Sequence, residues 1–240
     1  MKNTQKTSAA LMAAVILGVA SVASAISTSG NLADLAGREG GSLSIGDKVF
    51  SDFGFHAVGL TSFDASEIQV TASIGNDGVY YLTWNGNIGL AGIGVQVADL
   101  LLSYTVTANP GSIVMIDQNY TGSTQYGALA IDETAKIDGG AVVGFSHLQV
   151  GDLSDPDLDP FNAGDQNDIL NINPAQHVLY VTKDISLAIA PPEGQIGLTT
   201  ISQVQQSFHQ TTVPDGGSTL ILLGATFSGL AGLGLYRKKV

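Results

Sequence analysis

The 240-residue sequence contains no cysteine. That excludes a disulfide scaffold, a thiolate-ligated zinc or iron–sulfur site, and a thiol nucleophile. Cations are scarce as well: 9 Lys+Arg stand against 21 Asp+Glu, a formal net charge of −12. Binding nucleic acid requires cationic side chains that displace phosphate counterions, and a polybasic grip on anionic lipid requires them too, so the charge argues against both. Charged residues make up only 12% of the chain, about half the usual share, yet a hydrophobic content of 44% is too high for a disordered protein. Four histidines, His56, His147, His177 and His209, stand apart without metal-ligand spacing, and neither H-E-x-x-H nor G-x-S-x-G occurs. Glycine, by contrast, is abundant. Its 30 residues far exceed the usual share of about 7% and favour a turn-rich, all-β chain.

The two ends differ from the rest. Met1-Lys2-Asn3-Thr4-Gln5-Lys6 precedes an apolar run over residues 9–22, which closes on Ala23-Ser24-Ala25. A basic start, a short apolar centre and a small-x-small end are the parts of a secretory signal peptide, with Ala23 and Ala25 framing cleavage and residues 1–25 removed. At the other end, Val213-Pro214-Asp215-Gly216-Gly217-Ser218-Thr219 leads into the uncharged residues 220–236, and Arg237-Lys238-Lys239 follow. At 1.5 Å per residue that run spans about 25 Å, the short end of what crosses a bilayer. The basic cluster behind it favours a cytoplasmic terminus, with the exported body on the other side.

This tail resembles a PEP-CTERM sorting signal, and its motif resembles the VPDSG-type variant of that class. The resemblance covers residues 213–240 only. It implies recognition by an exosortase-type membrane enzyme of a Gram-negative bacterium. Cleavage near the motif and delivery to the cell surface or an exopolysaccharide matrix would follow. Asp215-Gly216 stands where Glu-Pro is usual, which leaves the enzyme subtype and the cut open. A sortase signal would show Leu-Pro-x-Thr-Gly, which is absent, and a GPI signal normally lacks the trailing basic cluster. A plain single-pass anchor is the competing reading. Residues 43–53, 181–187 and 207–208 also look similar to segments of uncharacterised PEP-CTERM ectodomains, which implies first and last strands lying side by side.

Residues 26–212 read as one domain. Ile68, Val70, Ala72 and Ile74 alternate on one face, Asn76-Asp77-Gly78 signals a turn, and residues 79–84 form the returning strand of a β-hairpin. Further strands are predicted over residues 100–107, 112–116, 141–150 and 177–190, bounded by Gly, Pro and Asn clusters. Residues 201–208 read as a strand or a short helix. Eight or more strands between turns favour a β-sandwich, jelly-roll-like, with a barrel as the alternative.

The densest polar segment, residues 151–168, carries six aspartates. Calcium takes six to eight hard oxygen ligands, and Asp155, Asp157, Asp159, Asp165 and Asp168 are the candidate ligands. The Asp155, Asp157, Asp159 spacing opens like an EF-hand, but Pro160 occupies the glycine turn position and Gln166 replaces the closing Glu. Two readings stand: an acidic solvated loop and an irregular calcium loop. No other cofactor is indicated. Ser146 and His147 are neighbours, which on a strand point to opposite faces and make no catalytic pair. Trp84, Tyr80 and Tyr81 are either hairpin core or a sugar-stacking platform. The expectation is a non-enzymatic protein anchored in transit at the inner membrane, then sorted to the surface, with a structural or adhesive role in an exopolysaccharide or biofilm matrix. The alternative is a secreted carbohydrate-binding module or polysaccharide-active enzyme on the same scaffold. If residues 26–213 remain after processing, 4 cations face 20 acids in 188 residues, a net charge of 4 − 20 = −16.

Overall fold

The computed structural model describes residues 27–37, 40–151 and 167–211. The signal-peptide, sorting-motif and apolar-tail assignments fall outside these residues, as do Asp155, Asp157, Asp159 and Asp165. Among the described residues no helix is long and apolar enough to cross a membrane.

Among the described residues twelve strands run in chain order: β1 Ser27–Asn31, β2 Ser42–Ile45, β3 Lys48–Val58, β4 Gln69–Ile74, β5 Tyr80–Gly92, β6 Gln96–Ala108, β7 Ser112–Gln125, β8 Gly127–Lys136, β9 Val142–Val150, β10 Asn167–Gln176, β11 Val178–Ile189 and β12 Gly197–Thr211. One short helix, α1 Leu32–Gly37, follows β1. Asn31 caps it, its Oδ1 accepting the Asp34 N–H at 2.7 Å.

The strands form two six-stranded antiparallel sheets. Sheet A has the order β1-β4-β5-β12-β7-β10, and sheet B the order β2-β3-β6-β11-β8-β9. This is a β-sandwich. Its last eight strands pair as nested partners, β5 with β12, β6 with β11, β7 with β10 and β8 with β9. Rolled over into two sheets, that nesting is jelly-roll topology. The β1/β4 and β2/β3 pairs extend one edge of each sheet.

The predicted hairpin is β4 and β5, registered from Ile74 opposite Tyr80 to Gln69 opposite Asn85. Gly78 closes its turn at φ +77, a conformation that glycine adopts without the Cβ clash other residues incur. Ile68, Val70 and Ala72 are buried as their alternation requires. The segment over 201–208 is strand, the centre of β12. The implied adjacency of residues 43–53 and 181–187 is not found, because β6 stands between β3 and β11. Likewise β4 and β5 separate β1 from β12. The sandwich interleaves first and last segments through its rolled pairing instead of placing them edge to edge.

The core lies between the sheets. Leu100, Leu102, Tyr104, Val106 and Ala108 alternate inward from β6, and Leu179, Val181, Ile185, Leu187 and Ile189 from β11. Phe50, Trp84, Tyr104 and Phe208 form an aromatic centre, with Phe50 and Phe208 edge-on at 5.1 Å and Trp84 and Tyr104 at 5.5 Å. Trp84 is 2% exposed, so it packs the core and is not part of a stacking platform.

Candidate functional site

Strand alternation gives sheet A an outer face of hydroxyl and amide side chains in register. One row crosses the sheet as Ser73, Tyr81, Ser207, Asp117 and Ile169, and the next as Thr71, Thr83, Gln205, Asn119 and Asn167. A third row runs Gln69, Asn85, Gln203 and Thr121. Neighbours along these rows bond to each other. Gln205 Nε2 donates to Thr83 Oγ1 at 3.3 Å, Gln203 Nε2 to Asn85 Oδ1 at 2.8 Å, and Ser207 Oγ to Asp117 Oδ2 at 3.1 Å.

A recess of roughly 380 Å³ opens on this face, lined by Tyr81, Asp117, Asn119, Asn167, Asp168, Ile169, Gln205 and Ser207. Tyr81 donates its hydroxyl to Asp77 Oδ2 at 2.8 Å, and that bond raises the phenol pKa. Ile169 is 54% exposed and supplies an apolar wall. Asp117 Oδ1 is buried without a hydrogen-bond partner. The lining thus combines many donors and acceptors with one apolar wall.

Ser207, His209 and Asp117 meet at the rim, but not as a nucleophile relay. His209 Nε2 lies 2.9 Å from Asp117 Oδ2 and 3.2 Å from Ser207 Oγ, so one nitrogen faces both partners. A relay needs the base to use one ring nitrogen for the nucleophile and the other for the carboxylate. Ser146 and His147 do point to opposite faces. Ser146 is buried, whereas His147 lies on the outer face of sheet B with its Nδ1 2.6 Å from Asp132 Oδ1. That contact raises the His147 pKa.

Asp168, the one calcium candidate within the described residues, belongs to β10 and not to a loop. Its Oδ2 accepts the His147 backbone N–H at 2.9 Å and its Oδ1 that of Ile169 at 2.7 Å. Among the described residues, no group of three or more His, Asp or Glu side chains is placed to hold a metal ion. The outer face of sheet B carries a second recess of roughly 410 Å³, apolar, where the small side chains Ala128, Ala130, Ala188 and Ser186 leave room between Val58, Val97 and Gln149.

The feature that sequence reading missed is inside. Lys183 of β11 and Glu133 of β8 are 1% and 0% exposed, with Nζ 2.7 Å from Oε2. Nζ also donates to Gln118 Oε1 of β7 at 2.5 Å. Gln206 Nε2 of β12 donates to Glu133 Oε1, and Tyr104 donates its hydroxyl to Gln206 Oε1 at 2.9 Å. Gln118 Nε2 donates in turn to Ser146 Oγ at 2.7 Å. Burial is the largest influence on both charges, lowering the Lys183 pKa and raising that of Glu133. The network joins side chains of both sheets. The signal for it was phase: Lys183 continues the inward alternation of Val181 and Ile185, as Glu133 continues that of Ile131 and Ala135. A second interior lysine, Lys48, is 0% exposed. It reaches Asp47 Oδ1 at 2.7 Å, Gln210 Oε1, and the Tyr80 ring at 4.3 Å.

No protein-family model matches the chain, and no curated protein matches it. Among solved structures, the enzymatically active domain of tailspike protein 4 of bacteriophage CBA120 aligns with 65% of this chain at 12% identity and a TM-score of 0.28. The chain covers 19% of that protein. Overlap of that degree decides neither fold nor function.

Proposed function

We propose that the chain is an exported, surface-sorted protein with a structural or adhesive role in an exopolysaccharide or biofilm matrix. In this reading residues 1–25 direct export and residues 220–236 hold the chain briefly in the inner membrane. An exosortase-type enzyme then cuts within Val213-Pro214-Asp215-Gly216-Gly217-Ser218-Thr219. The body binds matrix polysaccharide through the outer face of sheet A.

The observation that carries the binding role is the registered ladder of hydroxyls and amides around the 380 Å³ recess. Sugar hydroxyls are paired donors and acceptors, and amide side chains offer both. The exposed Ile169 and the Tyr81 ring suit the apolar face of a sugar ring. The excess of acids over bases disfavours anionic polymers and leaves neutral glycans as the matching class.

The alternative, a carbohydrate-binding module or polysaccharide-active enzyme, draws on the same recess. Binding is favoured over cleavage because Asp168 has both oxygens engaged by backbone N–H groups, which leaves Asp117 as the recess carboxylate with an unpartnered oxygen.

Affinity electrophoresis through gels containing neutral polysaccharides tests the binding role. Retention on at least one gel is expected, and Asn119→Ala with Gln205→Ala should weaken it about thirtyfold, at roughly 1 kcal/mol for each of the two hydrogen bonds lost. Retention unchanged in the double variant would remove this face from the proposal. Sorting is read separately, by mass spectrometry of protein released from the cell surface. A C-terminus inside the motif supports it, whereas an intact Val240 in the inner membrane makes residues 220–236 a plain anchor.

A further inference from the structure

The interior network places an amine, a primary amide and a carboxyl in contact where water is excluded. Lys183 Nζ lies 2.5 Å from the amide oxygen of Gln118 and 2.7 Å from Glu133 Oε2. A carbonyl bond is about 1.2 Å long, so the Gln118 amide carbon lies within about 3.7 Å of Nζ, near the separation from which reacting atoms attack. All three side chains are at most 2% exposed. We propose that Lys183 and Gln118 are a self-modifying pair that forms an intramolecular isopeptide bond with loss of ammonia, with Glu133 as the proton carrier.

The step needs no oxidant and no co-reactant. Burial favours the uncharged amine and the protonated carboxyl, so Lys183 can pass its extra proton to Glu133. The free lone pair of Nζ then forms a bond to the Gln118 amide carbon, giving a tetrahedral centre. Glu133 delivers its proton to the departing nitrogen and takes one from Nζ. The bond from the amide carbon to Nε2 breaks, and that nitrogen leaves as ammonia. One amine and one primary amide become one secondary amide and one ammonia, and Glu133 ends protonated, as it was at the moment of attack, now by the proton taken from Nζ.

The surroundings single out this pair. Gln206 is the other amide in the network, but it turns its NH₂ to Glu133 and its oxygen to the Tyr104 hydroxyl, so it positions the carboxyl. Ser146 fixes the Gln118 amide by accepting from Nε2, which leaves Oε1 facing Nζ. The aromatic centre keeps the site dry: Tyr104 packs against Phe50, Trp84 and Phe208. The bond would join β7 of sheet A to β11 of sheet B across 65 residues of chain, tying the two layers of the sandwich together. For a protein exposed outside the cell without a single cysteine, it would do the work of a disulfide.

The test is mass spectrometry of the folded full-length chain. The intact mass should be lower by one ammonia than its residues sum to. Proteolysis under denaturing conditions should then release a branched peptide containing both Gln118 and Lys183. Glu133→Gln, which keeps the shape of the side chain, should give the full mass and two separate linear peptides, with circular dichroism confirming the fold. A wild-type chain of full residue mass would overturn the proposal even if that variant fails to fold. Ammonia loss mapped to any other residue would overturn it too. A link that forms equally in Glu133→Gln would overturn the role given to Glu133.

Discussion

A buried ion pair can be probed by comparing the removal of one partner with the removal of both. In Lys183→Met, Glu133 keeps a hydrogen bond from Gln206 but loses the cation beside its other oxygen. Breaking a buried pair in this way typically costs about 3–5 kcal/mol, because the remaining charge is uncompensated. Adding Glu133→Leu removes that charge but leaves the Gln206 NH₂ without an acceptor, at about 1–3 kcal/mol. The double variant should therefore be the more stable by roughly 1–3 kcal/mol at pH 7. Neither variant can form the isopeptide bond, so the comparison reads electrostatics alone. The difference carries a pH signature. Burial already raises the Glu133 pKa above 4.5, and without Lys183 nothing cationic pulls it back. A raised carboxyl favours the protonated folded state, so Lys183→Met is most stable below about pH 4.5 and loses stability as pH rises through the folded pKa. The double variant lacks this dependence. Urea unfolding followed by Trp84 fluorescence measures both, since this single tryptophan packs 5.5 Å from Tyr104 within the same core. A double variant less stable than the single at pH 7, or a single variant with no such pH dependence, would refute the reasoning.

Two further outcomes follow from surface and turn geometry. His147 should titrate above 6.5 by NMR, because its contact with Asp132 favours the imidazolium, and Asp132→Asn should bring it down. The associated stabilisation is present below pH 6.5 and fades as pH rises through the folded pKa. With both side chains nearly half exposed, it should amount to only a few tenths of a kcal/mol. Gly46→Ala should destabilise the protein by roughly 1–2 kcal/mol or more. The residue sits at φ +56, and an added Cβ would lie 2.5 Å from the Tyr80 hydroxyl, displacing the ring that covers Lys48. A melting temperature equal to wild type would show that the turn and Tyr80 can relax together.

The frame of the sandwich was legible where one sheet face is apolar and the other polar. The β4/β5 hairpin and strands β6, β7, β9 and β11 show period-2 alternation between turn signals, which sheet burial requires. Strand β8 escaped notice because its inward face is Leu129, Ile131, Glu133 and Ala135, an alternation broken by the charge that matters most. Strand β10 was hidden behind an aspartate-rich segment, although Leu170 and Ile172 alternate into the core. Pairing partners up to 162 residues apart, such as Lys48 and Gln210, are set by the rolled topology and leave no local mark. The recess has the same origin. Tyr81, Asp117, Asn167 and Gln205 each read as an ordinary outward polar residue until register brings four strands together.

The scarcity of cations takes its meaning from these placements. Five of the nine lie in the terminal segments, Lys2, Lys6, Arg237, Lys238 and Lys239. Of the four left in the body, Lys48 and Lys183 are at most 1% exposed. A charged side chain is seldom fully buried unless it is paired, and both of these are. Burying them means that they do little to screen the surface acids from one another, while Glu133 is the one acid among the described residues that is itself fully buried. Among the described residues the exterior is therefore more one-sided than a formal count of charges suggests, since Lys48 and Lys183 face inward. Such a surface repels its own copies and anionic polymers alike. What such a surface offers a neutral partner is directional hydrogen bonding, from the registered amide and hydroxyl rows of sheet A.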